Sequence, residues 1–255
     1  SFAIIDVSSP ARPVRVATTT LVQTGTAPQG VYVSGRYAYV VSDIGNTLHI
    51  IDIGSSTVAP IVSTTTIPNN PARVVVQGRY AYTLNSGDGA LSIIDVENVT
   101  SPVIRSTLFP SSIGNSFGLA VSGRYAYTVG YGSDALNVID ISNASAPVQV
   151  ATSTLDGGGD AWDVVVSGRY AFVSERYADL IAVVDLSVPT SPVRVASIPV
   201  TPGSPPDGVA PGETFVGPVA DESGLRFFLM YNERLRICLY ILDETAFVPE
   251  AFDRS

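Results

Sequence analysis

The stretch "VSGRYAYVVSDIGNTLHIIDI", Val33 to Ile53, alternates apolar and polar positions from Arg36 to Val41. It breaks at Ser42 to Asn46, then runs apolar again from Leu48 and closes on Asp52. The same pattern returns as "VQGRYAYTLNSGDGALSIIDV", "VSGRYAYTVGYGSDALNVIDI" and "VSGRYAFVSERYADLIAVVDL". Its Gly recurs at Gly35, Gly78, Gly123 and Gly168, at spacings of 43, 45 and 45. A period in the mid-forties suits either a four-stranded propeller blade or a helix pair. The runs are short, rich in Val, Ile, Tyr and Thr, and cut by Gly, Pro and Asn. No stretch sustains a helical period, which predicts an all-β fold.

Each unit divides into four strands. In the first unit these are a short Val31 to Val33, then Arg36 to Val41, Leu48 to Ile53 and Pro60 to Thr66. A tight turn holds the Gly, where positive φ costs it little. The fourth strand opens on Pro, as at Pro102, Pro147 and Pro192, and Pro suits an edge strand because its missing N–H is not needed there. Four antiparallel strands repeated around a ring make a β-propeller. The N-terminal residues 1–22 read as half a blade, residues 197–223 as a Pro/Gly-rich insertion, and residues 224–255 as a degenerate terminal blade. If the two ends share one blade the ring has five blades; if they stay separate it has six.

Arg36 and Asp52 are 16 residues apart, as are Arg79 and Asp95, Arg124 and Asp140, and Arg169 and Asp185. Equal spacing about a polar turn places each pair directly across one hairpin. Opposed charges there contribute about 0.2–1 kcal/mol and hold register. The Asp also suits a cap on the turn that it enters. Both readings are structural.

The pentapeptides "FAIID", "LHIID", "LSIID", "LNVID" and "IAVVD", with "GRYAYV" before them and "SPV" after, resemble the LVIVD-repeat family over roughly residues 1 to 200. The resemblance implies a propeller and a cell-surface or exported setting. It brings no catalytic residues.

Charge narrows the function. Net charge is −9, and every one of the 14 basic residues is Arg. Without Lys, Schiff-base chemistry is excluded, and an acidic chain without basic clusters is a poor nucleic-acid binder. No apolar run reaches the roughly 18 to 20 residues of a membrane span. Cys238 is the single cysteine, so no intrachain disulfide forms. No signal peptide is visible, and a start at Ser1 without Met suggests processing, truncation or an incomplete start. Asn98 and Asn143 match the N-glycosylation pattern.

Single residues are weighed against packing. His49, the one histidine, sits at a strand position and is expected to face a polar gap. Cys238 lies in an apolar run and reads as buried and inert. Trp162, the one tryptophan, reads either as inter-blade packing or as an aromatic platform on a binding face. Asp156 and Asp160 flank three glycines and could hold Ca²⁺, although calcium takes six or more oxygens. The loops joining fourth to first strands share an end with the hairpins joining second to third. That end collects Asp43, Asp88, Tyr131, Asp134, Glu175, Tyr177 and Asp179, and Asp207 lies in the insertion. It reads either as a solvated face of turn-forming residues or as a ligand or partner surface.

The leading expectation is a non-catalytic binding or assembly module that is extracellular or on the cell surface, with the periplasm as the alternative. Its partner would be a protein or glycan, including copies of itself. The alternatives are a lactonase-like hydrolase with a metal in the central channel and a structural subunit of a surface layer or filament. For the lactonase, the discriminator is whether carboxylates from several blades converge near the axis.

Overall fold

The computed structural model describes residues 1–9, 11–21, 27–55, 57–111, 116–130, 132–155, 161–175, 178, 180–199, 215–220, 226–231 and 238–241, with side chains described through residue 198. Tyr131, Asp156, Asp160, Tyr177, Asp207, residues 200–214 and 221–223 of the insertion and the side chain of Cys238 therefore lie outside the described residues.

Four complete four-stranded antiparallel sheets follow one another along the chain. The first holds β3 (Pro28–Ser34), β4 (Tyr37–Ser42), β5 (Thr47–Asp52) and β6 (Ile61–Thr66). The second holds β7 (Pro71–Gln77), β8 (Tyr80–Asn85), β9 (Leu91–Asp95) and β10 (Val103–Leu108). The third holds β11 (Ser116–Ser122), β12 (Tyr125–Gly130), β13 (Ala135–Asp140) and β14 (Val148–Thr154). The fourth holds β15 (Ala161–Ser167), β16 (Tyr170–Glu175), β17 (Leu180–Asp185) and β18 (Val193–Pro199). Before them β1 (Phe2–Asp6) pairs with β2 (Val14–Thr19), and after them β19 (Phe215–Ala220), β20 (Arg226–Tyr231) and β21 (Cys238–Ile241) form a sheet of three. The fold is an all-β propeller. Among the described residues the two end sheets do not pair with each other.

Two local details differ from the pattern-based division, for physical reasons. The first strand of a unit is seven residues long rather than three. A bulge near its start, between Pro71 and Arg73 in β7 for example, lets it continue toward the loop. The second strand begins on Tyr rather than Arg. Gly35, Gly78, Gly123 and Gly168 hold φ of 55–61°, so each Gly-Arg pair is a two-residue turn with positive φ at its first position.

The core is a stack of layers between neighbouring sheets. Tyr39, Val41, Leu48 and Ile50 of the first sheet meet Val74, Val76, Ala81 and Ile94 of the second. Tyr82, Leu84, Leu91 and Ile93 meet Leu119, Ala126 and Ile139. Tyr127, Val129, Leu136 and Val138 meet Val164, Ala171, Val173 and Val184. Leu48, Ile50, Leu84, Ile93 and Leu136 have no exposed surface, and each such side chain contributes about 1.5–3 kcal/mol. The first strands β3, β7, β11 and β15 neighbour one another in turn and so stand innermost. On β3, Val31 and Val33 are 59% and 56% exposed, whereas their equivalents Val74 and Val76 are 5% and 6%. The sheet before β3 has β1 and β2 alone among the described residues, so no inner strand covers those two valines.

Candidate functional site

The blades have two ends with different chemistry. At the turn end, Arg36 Nη2 lies 2.6 Å from Asp52 Oδ2, Arg79 Nη2 2.5 Å from Asp95 Oδ2, Arg124 Nη2 2.5 Å from Asp140 Oδ2, and Arg169 Nη2 3.1 Å from Asp185 Oδ2. The residue directly opposite each Asp is the following Tyr: Tyr37 faces Asp52 and Tyr80 faces Asp95. The Arg thus stands one place outside the expected register, in the turn, and reaches back over its neighbour. Three of the guanidinium groups lie 4.8–5.8 Å from the ring centres of Tyr80, Tyr125 and Tyr170.

Each Asp also caps. Its Oδ1 accepts the backbone N–H two residues on, from Gly54, Glu97, Ser142 and Ser187 at 2.8–3.1 Å. The two structural roles are filled by one carboxylate. Arg36, Arg79 and Arg124 hold Asp52, Asp95 and Asp140 below the ordinary carboxyl range, and bonds from Ser187 do the same for Asp185. In the second sheet Arg105 Nη2 joins Asp95 at 2.7 Å and Glu97 joins Arg79 at 2.8 Å, beside a depression of about 300 Å³. These groups are mutually satisfied and make clasps.

At the loop end many polar groups serve their own turns. Asp43 accepts from Ile44 N–H and from Gln29 Nε2 at 3.0 Å. Asp88 accepts from Asn69 Nδ2 and from Ala90 N–H. His49 is buried on β5 between Thr47 Oγ1 at 3.1 Å and Thr64 Oγ1 at 2.9 Å, and burial lowers its pKa. It bridges strands rather than facing a gap. Trp162 is 4% exposed and stacks on Phe117 of the neighbouring sheet, centroids 4.3 Å apart and planes at 17°. This is inter-blade packing, and the covered ring is no open platform. Asn98 and Asn143 are exposed, and each side-chain oxygen accepts the N–H two residues on.

What the loop end adds is a layer on the axis. The bulge in each inner strand falls just before the same unit position, occupied in turn by Gly30, Arg73, Gly118 and Asp163. The glycines are required by packing. A Cβ on Gly30 would lie 2.8 Å from Ala72 O, and one on Gly118 2.8 Å from Asp163 Cα and 2.9 Å from Val164 N. The same position carries a charge in the other two units, Arg73 and Asp163. Asp163 is partly buried and its Oδ1 accepts Val164 N–H at 2.9 Å. Burial raises its pKa, and the Arg73 charge works against that rise. β7 and β15 both neighbour β11. Beside this layer, Glu175 ends β16 fully buried, with Arg194 Nη2 4.0 Å from its Oε1. Neither Arg73 nor Asp163 was among the expected site residues. Their signal was available: they occupy the one inner-strand column in which otherwise similar units differ by charge. Among the described residues, no three of His, Cys, Asp and Glu cluster as metal ligands would.

Innermost strands, repeated sheets and variable loops at one end define a β-propeller. Four LVIVD repeats match at residues 25–65, 70–108, 113–153 and 158–199, and the chain belongs to the LVIVD-repeat family. No curated protein matches its sequence. Among solved structures it is similar to a protein from Lactobacillus plantarum, at TM-score 0.68 and 15% identity over 92% of this chain and 76% of that one. It is also similar to the periplasmic gluconolactonase PpgL of Pseudomonas aeruginosa, at TM-score 0.63 and 15% identity over 85% and 68%. A chain of a nidogen/laminin complex matches at TM-score 0.51 and 13% identity over 74% and 68%. At such identities the likeness is one of fold.

Proposed function

We propose that the chain is a non-catalytic binding or assembly module of an exported protein and that its loop end contacts a protein or glycan. The observation that carries this is the axial layer, where Arg73 and Asp163 break the regularity of the repeat at the end that also bears its variable loops. The turn end is, by contrast, four copies of one self-satisfied clasp. Export is supported by family membership and by the periplasmic gluconolactonase among the structural neighbours; a cell-surface or extracellular position is the finer reading. The insertion supports the same end, because long loops tend to be functional.

The test is a glycan microarray together with sedimentation for self-association. It compares the native protein with a loop-end variant lacking residues 201–212 and with a turn-end variant, Arg124→Ser. Binding that is lost only in the loop-end variant supports the reading. Binding lost only in Arg124→Ser sinks it, and concentration-dependent polymers would favour a surface-layer or filament subunit.

A lactonase-like hydrolase is the second reading. It is favoured by the partly buried carboxyl of Asp163 on an inner strand, whose proton affinity burial raises, a property suited to acid–base work. One carboxylate, from one blade, stands in that layer. Hydrolysis of gluconolactone that is abolished by Asp163→Asn would establish this activity. Calcium at Asp156 and Asp160 is a proposal of the same kind, tested by a calcium-dependent shift in melting temperature.

A further inference from the structure

We propose that Asn98 is the acceptor of an N-linked glycan whose first sugar lies in the depression beside Arg79 and Arg105. The site stands at the turn end, apart from the loop-end contact above. It shares with that reading only the exported setting, in which lipid-linked sugar donors are used. Asn98-Val99-Thr100 and Asn143-Ala144-Ser145 both match the acceptor pattern, and both begin three residues after a clasp aspartate. Folding treats them differently. Asn98 Oδ1 accepts two hydrogen bonds from Thr100, one from its N–H at 3.2 Å and one from its hydroxyl at 2.7 Å. Asn143 Oδ1 accepts the N–H of Ser145 at 3.1 Å, and among the described residues the Ser145 hydroxyl does not join it. The second donor fixes the carboxamide and draws charge onto its oxygen. The Nδ2 protons become more acidic, which matters because an amide nitrogen attacks well only as a proton leaves. The loop is also anchored: Asn98 is exposed, while Val99 beside it packs on the core and its carbonyl accepts Ser63 Oγ at 2.6 Å.

The depression supplies a seat for what is attached. Asn98 lines its volume of about 300 Å³ together with Arg79, Glu97, Ser101, Val103 and Arg105. Its two guanidinium groups are matched by the carboxylates of Asp95 and Glu97, so it has no net charge to hold a free ion and suits a neutral sugar. Arg79, Arg105 and Glu97 remain partly exposed and can bond hydroxyls and an acetamido group. Val103, exposed at the rim, offers an apolar surface to a pyranose face. This seat belongs to the unit of Asn98. Arg105 stands at the fourth-strand bulge, where the other complete units have Val62, Val150 and Val195. Glu97 stands where the unit of Asn143 has Ser142. In the transfer, Nδ2 attacks the anomeric carbon of a polyprenyl-phosphate-linked sugar. The N–C bond forms, the C–O bond to phosphate breaks, its electron pair leaves on the phosphate, and the amide proton passes to a base of the transferase.

The test incubates the folded, unglycosylated protein with an oligosaccharyltransferase and a lipid-linked N-acetylhexosamine donor. Intact mass and glycopeptide sequencing read the outcome. The expected result is transfer to Asn98 at a rate about three- to tenfold above Asn143, the factor of one hydrogen bond. Thr100→Ala should abolish transfer to Asn98, Thr100→Ser should retain part of it, and Asn143→Gln should leave it unchanged. Thr100 is exposed, so these variants should melt near the native temperature, which confirms that each is folded. Phenylglyoxal labelling of Arg105, read by peptide mass, should fall once the glycan is attached. No transfer to the folded native protein, preference for Asn143, or full transfer to Thr100→Ala overturns the proposal. Equal labelling of Arg105 with and without the glycan overturns the seat in the depression. None of these results touches the loop-end reading, which stands or falls on its own variants and its own binding assay.

Discussion

The two ends of the blades are built from the same repeat and behave oppositely. At the turn end each unit pairs an Arg with an Asp, and the Asp caps its own loop, so almost nothing is left unsatisfied. At the loop end the corresponding layer holds two glycines, a cation and an anion. The difference shows where a repeat protein can vary. Clasps at one end repeat because every blade needs a defined register. At the axial end two units keep Gly, where a Cβ would strike backbone, and two carry charges, with the same strand pairing in all four.

The comparison breaks most sharply in the inner-strand packing. Trp162→Ala should cost about 3–5 kcal/mol in urea unfolding, since it empties a buried stack between two sheets. Gly118→Ala should cost about 2–3 kcal/mol, because the new Cβ meets the backbone of Asp163 and Val164, which cannot yield. Gly54→Ala at the turn end should cost far less. There the nearest atom is Arg36 Nε, the far part of a flexible side chain, at 2.7 Å. If both glycine variants melt alike, the inner strands are not as tightly packed as described.

Within the turn end a smaller contrast is expected. Asp95→Ala should destabilise by about 1–2 kcal/mol, and by more than Asp140→Ala. Asp95 is the less exposed and holds two arginines rather than one. Equal losses in chemical denaturation would show that Arg105 adds nothing.

The smallest effect is one of pH, and it differs in sign between the ends. Asp52, Asp95, Asp140 and Asp185 have folded pKa values below the ordinary one. Their contribution is complete above about pH 4 and is lost as pH falls below it. Asp163 is shifted upward, so its contribution is present below about pH 4 and fades as pH rises through the raised value. Relative to the native protein, Asp163→Asn should therefore be more stable at pH 7 than at pH 4, as read by melting temperature. The opposite trend would place Asp163 in a more polar setting.

Much of the turn end was legible along the chain, because hairpin spacing is a local property. The Arg–Asp partnership followed from a spacing of 16, but the register was off by one. A symmetric count could not tell that Gly35 and Arg36 are both consumed by the turn. The inner strand was read as three residues because a bulge interrupts alternation without ending the strand. Trp162 drew notice as a lone aromatic, yet its stacking on Phe117 joins residues one repeat apart.

The sequence by itself determined the repeat, the strand chemistry, the glycine turns and the clasps, because each depends on neighbours within one hairpin. Only the tertiary structure decided that Arg73 and Asp163 stand on strands either side of β11. They lie two repeats apart on strands that never pair. That order follows from how the sheets stack, with Gly118 of β11 packed against the backbone of Asp163. Periodicity along a chain encodes contacts within a blade, whereas contacts across a ring arise from how the blades stack.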